Sequence, residues 1–365
     1  MRRRTPLLAL IAVSLFAVAA VGAAIGAEEG GFFAPATLGA LPGSSLGIGW
    51  AMAYRGAMPH SAFAYAQLPD GRATWNFVAG RPDAATAEAE ALARCNEAAR
   101  RLPSQPSCRI AAIDGAPPGS AAPRPAMAVL GPFRASPLHR QRGPAQAEGV
   151  VIYGHGTHSG QNLSEAPAQG WLSAFNDAGW DVFRFDRGPS EDQLNRSVTR
   201  LIDGVKAARA AGYRRIILAG QSRGAWQSLV AAASVPVEGV IAISPAAHGQ
   251  RGDPNNRLAG ALDDWRRLLA ALPDGGPRVV VTIFENDDYD PDMDRRLEML
   301  GRRAAERTAP LAGFNPTAPL SGHGGARDWR FTRDWSACLL AAMTGAEAPR
   351  GVSHTACAPA IGAVR

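Results

Sequence analysis

Lysine is nearly absent: Lys206 is the only one among 38 basic residues. That bias reads as genome composition rather than as function. The arginines are scattered among 32 acidic residues, and no basic block is present to line a nucleic-acid groove. Nucleic acid is therefore not an expected partner, although the formal net charge is +6. Cysteine is scarce too, with Cys95, Cys108, Cys338 and Cys357 the only four in 365 residues. Neither close pair has the C-x-x-C spacing of a zinc site. Long apolar runs are missing after the first thirty residues, so no later segment is expected to span a bilayer.

The one long apolar run opens the chain. MRRRTPLLALIAVSLFAVAAVGAAIGA has a basic head, an apolar stretch and a small-residue end. This is the layout of a secretory signal peptide over 1–27, with cleavage after Ala27. An uncleaved anchor from Pro6 to Ala27 is the alternative, and the only expected contact with a membrane. The paired arginines of a twin-arginine signal are present, with little else of one. Export points to the periplasm or the exterior, where an even cysteine count in two close pairs favours disulfides. Cys95–Cys108 and Cys338–Cys357 are the expected pairing among three connectivities.

Residues 28–45 are rich in Gly, Ala and Pro and read as a linker. Over 46–115 a small α+β unit is expected. SAFAYAQL and ATWNFVAG read as strands around the turn Pro69-Asp70-Gly71-Arg72. AATAEAEALARCNEAARRL reads as a helix, and CRIAAIDG as a further strand. The unit is similar to the small cysteine-paired domains of exported bacterial proteins, a likeness that implies no chemistry. A Pro/Ala linker follows over 116–126, then a larger domain over 127–345 and a C-terminal tail over 346–365. In the large domain the apolar runs GVVIYG, WDVFRF, RRIILAG, GVIAIS and RVVVTIF alternate with helical patterns. Such alternation means an α/β fold with a mostly parallel sheet covered on both faces. AMAVLGPFRASPLHRQR, ahead of these runs, is expected to add an opening antiparallel pair.

The pattern G-x-S-x-G occurs twice. At Gly43-Ser44-Ser45-Leu46-Gly47 no strand precedes the serines and no helix follows, so they read as linker. At Gly220-Gln221-Ser222-Arg223-Gly224 the serine follows the apolar run Ile216–Ala219 and precedes a helical pattern. Ligands bind beyond the carboxyl ends of parallel strands. A sharp strand-to-helix turn there needs small flanking residues and lifts the serine oxygen toward the helix amides. Here the chain resembles the alpha/beta-hydrolase superfamily, of the dienelactone-hydrolase and esterase kind, with Ser222 in its nucleophile elbow. The resemblance covers roughly 127–345.

The resemblance implies the chain order Ser, acid, His. His323, in the Gly-flanked loop PLSGHGGARDW, is the expected base. His248 comes too early, and His354 lies beyond the last helix. The acid is expected in FENDDYDPDMD, at Asp287, with Asp288, Asp290 and Asp253 as alternatives. The alternating carboxylates there also resemble a calcium loop, but Met293 and Met299 occupy positions that need Gly and Glu. The family's oxyanion hole would use the amide of Arg223 and one from Gly154-His155-Gly156-Thr157-His158, at Gly156 or Thr157. His155 and His158 as a metal pair lack a third ligand, so no metal and no cofactor are expected. The expected function is an exported Ser-His-Asp hydrolase acting on a small-molecule acyl ester or amide. The rivals are a serine peptidase and a non-catalytic, envelope-associated binding protein on the same scaffold. Nothing in the pattern specifies an oligomeric state.

Overall fold

The computed structural model describes residues 49, 54, 60–70, 72–119, 129–136, 139–157 and 168–353. The expected signal and first linker, the serine pattern at Gly43–Gly47, His158, His354 and Cys357 lie outside the described residues. Among the described residues no helix is long and apolar enough to cross a membrane.

Two sheets form. In the smaller, β1 (Ala62–Gln67) pairs antiparallel with β2 (Ala73–Val78) on one side and β3 (Arg109–Ile113) on the other. The strand alternation sorts the side chains. Ala62, Ala64 and Val78 meet Ala87, Ala91 and Cys95 of helix α1 (Ala84–Ala99), while Phe63 and Tyr65 point to the other face with Tyr54. Small residues along this seam let helix and sheet approach closely. Asp83 starts the helix by accepting a hydrogen bond from Thr86 N–H at 2.7 Å, a cap typically worth ~1 kcal/mol. Cys95, on that helix, is bonded to Cys108, as expected. Cys338 is also disulfide-bonded, but its expected partner lies outside the described residues.

Among the described residues the larger sheet has nine strands. β4 (Val129–Leu130) and β5 (Phe133–Ala135) form the expected antiparallel opening pair. They are followed by β6 (Gly149–Gly154), β7 (Trp180–Phe185), β8 (Ile216–Gln221) and β9 (Gly239–Ile243). β10 (Arg278–Thr282), β11 (Leu311–Phe314) and β12 (Gly351–Ser353) complete it. The spatial order is β12-β11-β10-β9-β8-β6-β7-β5-β4, with every pairing from β6 to β12 parallel. The chain leaves β6 for β7 on one side and returns to β8 on the other. The loops after β6 and β8 therefore emerge side by side, at a switch point of the sheet.

Burial on both faces explains the unbroken apolar strands. Ile216 and Leu218 turn to helices α3 (Leu194–Ala210), α4 (Arg223–Ala232), α5 (Ala261–Ala271) and α6 (Met293–Glu306). Ile217 and Ala219 turn to α2 (Leu172–Asp177) and α7 (Trp329–Thr344), where Phe175, Phe331 and Trp335 close the other core. Two strands escaped the pattern. β11 holds only four residues and contains Gly313, where a side chain would meet Leu300 at 2.7 Å. β12, inside the expected tail, is three residues at the sheet edge. Both are too short for an alternation to register.

Candidate active site

Ser222 stands at the joint between β8 and α4 with φ 58 and ψ −121, a left-handed backbone rare outside glycine. The sequence permits this turn because its neighbours are glycines. A Cβ on Gly220 would lie 2.4 Å from the carbonyl carbon of Gly224, and one on Gly224 would lie 2.1 Å from the Gly154 oxygen. Three backbone bonds fix the joint. Ser222 N–H donates to Ile243 O at 2.9 Å, and Ser222 O accepts from Trp226 N–H at 3.0 Å and Ala246 N–H at 3.3 Å. Ser222 caps α4 in position only, since its side chain makes no capping bond.

His323 sits in the loop between β11 and α7. Its Nδ1 lies 2.9 Å from both carboxylate oxygens of Asp287. Asp287 is buried beyond the end of β10, reached through Asn286 at φ 57. Its Oδ1 also accepts from Tyr289 N–H at 2.8 Å. With Asp287 accepting the hydrogen bond from Nδ1–H, His323 Nε2 is left as a proton acceptor. That atom is buried and has no hydrogen-bond partner among the described residues. The alternative acids are engaged elsewhere or exposed. Asp288 is exposed, Asp253 Oδ1 accepts from Asn255 N–H at 2.8 Å, and Asp290 pairs with the buried Arg296. Burial pushes that guanidinium down to about 9.

Ser222 forms no hydrogen bond with His323; the two are linked through the residue before the serine. Gln221 Nε2 donates to His323 O at 3.0 Å, and Arg327 donates to Gln221 Oε1 at 3.4 Å. The same Gln221 oxygen would lie 3.0 Å from a Cβ on Gly156, and Ser222 Cβ would lie 3.1 Å from it. The His-Gly loop thus passes directly against the serine, and only glycine fits at 156 without pushing it away. Arg223 opens α4, so its N–H is one of the first-turn amides without a helical acceptor. Thr157 follows Gly156 and is exposed.

His155 is not a ligand or base. Its Nε2 accepts from Arg187 N–H at 2.9 Å, which leaves Nδ1 to donate to Gly156 O at 2.5 Å. Burial, and then the Arg187 charge, push the imidazole down to about 4, so it is neutral. Arg187 is fully buried, donates to His155 O and is held by Asp192 through Nε at 2.8 Å. Arg187, Asp192, Gln221 and Tyr289 escaped the sequence reading. The Tyr289 ring stacks on His323 with centroids 4.2 Å apart and planes at 29°. Its place two residues after Asp287 was the one available hint. Arg187 offered only a charge just past a strand end.

No family model and no curated protein matches this chain. Solved structures with some likeness include a bifunctional GH43-CE protein of Bacteroides eggerthii, at 14% identity and a TM-score of 0.41, covering 59% of this chain and 37% of that one. Est1E from Butyrivibrio proteoclasticus shows 17% identity and a TM-score of 0.38, over 53% of this chain and 88% of its own. A truncated carbohydrate esterase from gut microbiota shows 14% identity and a TM-score of 0.41, over 57% and 88% respectively. The chain spans little more than a third of the first of these. The assignment of fold rests on this chain's own strand order, elbow and His–Asp pair.

Proposed function

We propose that this chain, an alpha/beta hydrolase by strand order and elbow, is a serine hydrolase that cleaves acyl esters through Ser222, His323 and Asp287. The Asp287–His323 pair carries the reading, because it leaves one buried imidazole nitrogen unpaired in a loop tied to the residue before Ser222. Ser222 Oγ attacks the acyl carbon while its proton passes to His323 Nε2. The new oxyanion accepts from Arg223 N–H and from an amide of Gly156 or Thr157, donors typically worth about 3 kcal/mol each in such sites. Collapse breaks the bond to the alcohol, which leaves with the proton from His323. Water then attacks the acyl-enzyme by the same path and frees the acid and Ser222. Asp287 keeps the imidazole in the tautomer that can accept.

Between β9 and β10 the chain holds only a short 3-10 turn (Leu258–Gly260) and α5. So short an insertion favours an open site and small or polar esters. Action in the periplasm or outside the cell is supported by residues 1–27 and by the Cys95–Cys108 bond. The test is a fluorophosphonate probe on the purified protein, with mass mapping of the adduct and an ester panel. The adduct should fall on Ser222, and Ser222→Ala should lose several orders of magnitude in turnover with the fold intact. Wild-type turnover in that variant, or an adduct elsewhere, would overturn the mechanism.

A further inference from the structure

A continuous line of bonds runs from the proposed acid to the proposed nucleophile, through a residue outside the triad. The turn that carries Asp287 is closed by Asp290 N–H, which donates to Asp287 O at 3.1 Å. The buried Asp290 carboxylate pairs with the equally buried guanidinium of Arg296. Arg296 Nη2 donates at 3.1 Å to the carbonyl of Pro245, in the segment that follows β9. The next residue, Ala246, donates its N–H to Ser222 O at 3.3 Å. Ser244, just before the proline, is held at φ 44, so this segment also has a left-handed joint to keep.

Local stability does not call for arginine at 296. It is the fourth residue of α6, where the helix dipole disfavours a cation. Its Nε is buried and has no hydrogen-bond partner among the described residues. A buried ion pair typically gains nothing over apolar side chains of similar volume. The guanidinium lies 4.1 Å from the centre of the Trp265 ring, a surface that an apolar chain would cover as well. What arginine adds is a rigid fork that bonds in two directions, to Asp290 and to Pro245.

We infer that Arg296 is a positioning residue for the proposed reaction. By bridging Asp290 and Pro245 it sets the acid turn, and His323 with it, against the segment that braces Ser222. The inference rests on the reading of Ser222, His323 and Asp287 as a triad. Gln221 ties His323 to the nucleophile strand from one side, and Arg296 ties the acid from the other. Triad members on separate loops need such ties, because a displacement of about 1 Å can cost about a hundredfold in rate. Arg296 meets no reacting atom, so its effect must pass through Asp287.

A double-mutant cycle between Arg296→Lys and Asp287→Asn tests this, with turnover of 4-nitrophenyl acetate as the readout. Lysine keeps a charge for Asp290, but a single ammonium cannot hold Pro245 O in the same geometry. Alone, Arg296→Lys should lower kcat about ten- to a hundredfold and change KM by no more than about threefold. In the Asp287→Asn background it should cost less than about threefold, since the path it serves is already broken. Arg296→Met combined with Asp290→Leu removes the pair without stranding a charge, and urea titration should find that protein no less stable than wild type. Its kcat should still fall at least about tenfold. Equal losses from Arg296→Lys in both backgrounds, or wild-type kcat in the folded Met/Leu protein, would overturn the assignment. Should the Met/Leu protein fail to fold, the cycle decides alone. If no probe labels Ser222, or Asp287→Asn costs nothing, the triad reading fails first and the positioning role with it.

Discussion

Replacing Asp287 by Asn tests the triad more sharply than removing the serine, because the side chain keeps its size and loses only an acceptor. Asp287 Oδ1 accepts from Tyr289 N–H at 2.8 Å, so the amide oxygen of Asn should occupy that position. The amide NH2 then falls where Oδ2 now lies, 2.9 Å from His323 Nδ1. Two N–H groups cannot share that line. Nδ1–H keeps only the neutral amide oxygen at the Oδ1 position, 2.9 Å away and shared with Tyr289 N–H. The imidazole is therefore pushed off its line by the NH2 and loses the carboxylate charge that would stabilise it when protonated. The expected loss is about 10⁴-fold in kcat, or roughly 5.4 kcal/mol of barrier. Turnover of 4-nitrophenyl acetate measures it, with circular dichroism to verify the fold. Asp288 is exposed and Asp253 holds its own turn through Asn255, so Asn at either should change kcat by no more than about threefold. A rate within tenfold of wild type for Asp287→Asn, or a larger loss at Asp288, would refute the assignment.

Tyr289→Ala should lower kcat about three- to tenfold by removing the ring stacked on His323, while Tyr289→Phe keeps most of the rate; equal rates in all three proteins would show that the ring positions nothing. Arg187→Met should destabilise the fold by about 3–5 kcal/mol, because it strands the Asp192 charge and the His155 carbonyl, and urea titration reads the change. His155 makes stability depend on pH. Its ordinary value of 6.5 is pushed down to about 4 in the fold, so between those values the unfolded chain binds the extra proton. Stability contributed by the neutral imidazole is therefore present above 6.5 and lost as pH falls toward 4, by on the order of 3 kcal/mol. His155→Gln should show a shallower fall over that window, and an identical slope would count against the burial argument.

The sequence announced the class of fold because both faces of the sheet are covered. Runs such as Ile216–Ala219 must then be apolar at every position, and helices must separate them. Of the candidate site, Ser222 and Asp287 were singled out because each follows an apolar run, which fixes the edge on which it emerges, whereas His323 came from its Gly-flanked loop and the chain order that the resemblance implies. Their supports were not legible. Gln221 bonds a carbonyl 102 residues later, and Arg187 meets the carbonyl of His155 from the next strand but for one loop. Such contacts depend on how strands order in space, and no local period encodes that order. The strand β11 was missed for a different reason: four residues with a glycine carry too little alternation to separate strand from loop.

The backbone at Ser222 bears on whether this site was shaped for stability or for chemistry. A non-glycine residue at φ 58 typically costs about 1–3 kcal/mol, and glycine would relieve it. Asn286, at φ 57, is a residue type that tolerates this region, but serine has no such advantage. The serine hydroxyl returns nothing to the helix it precedes, since it makes no capping bond. The strain persists because Ile243, Trp226 and Ala246 fix the joint from three sides, and because Gly154, Gly220 and Gly224 leave no room for a relaxed path. A side chain that costs stability and makes no hydrogen bond among the described residues is what the proposed nucleophilic role would account for. At the end of a central strand, against the His-Gly loop, the oxygen that would take that role is Ser222 Oγ.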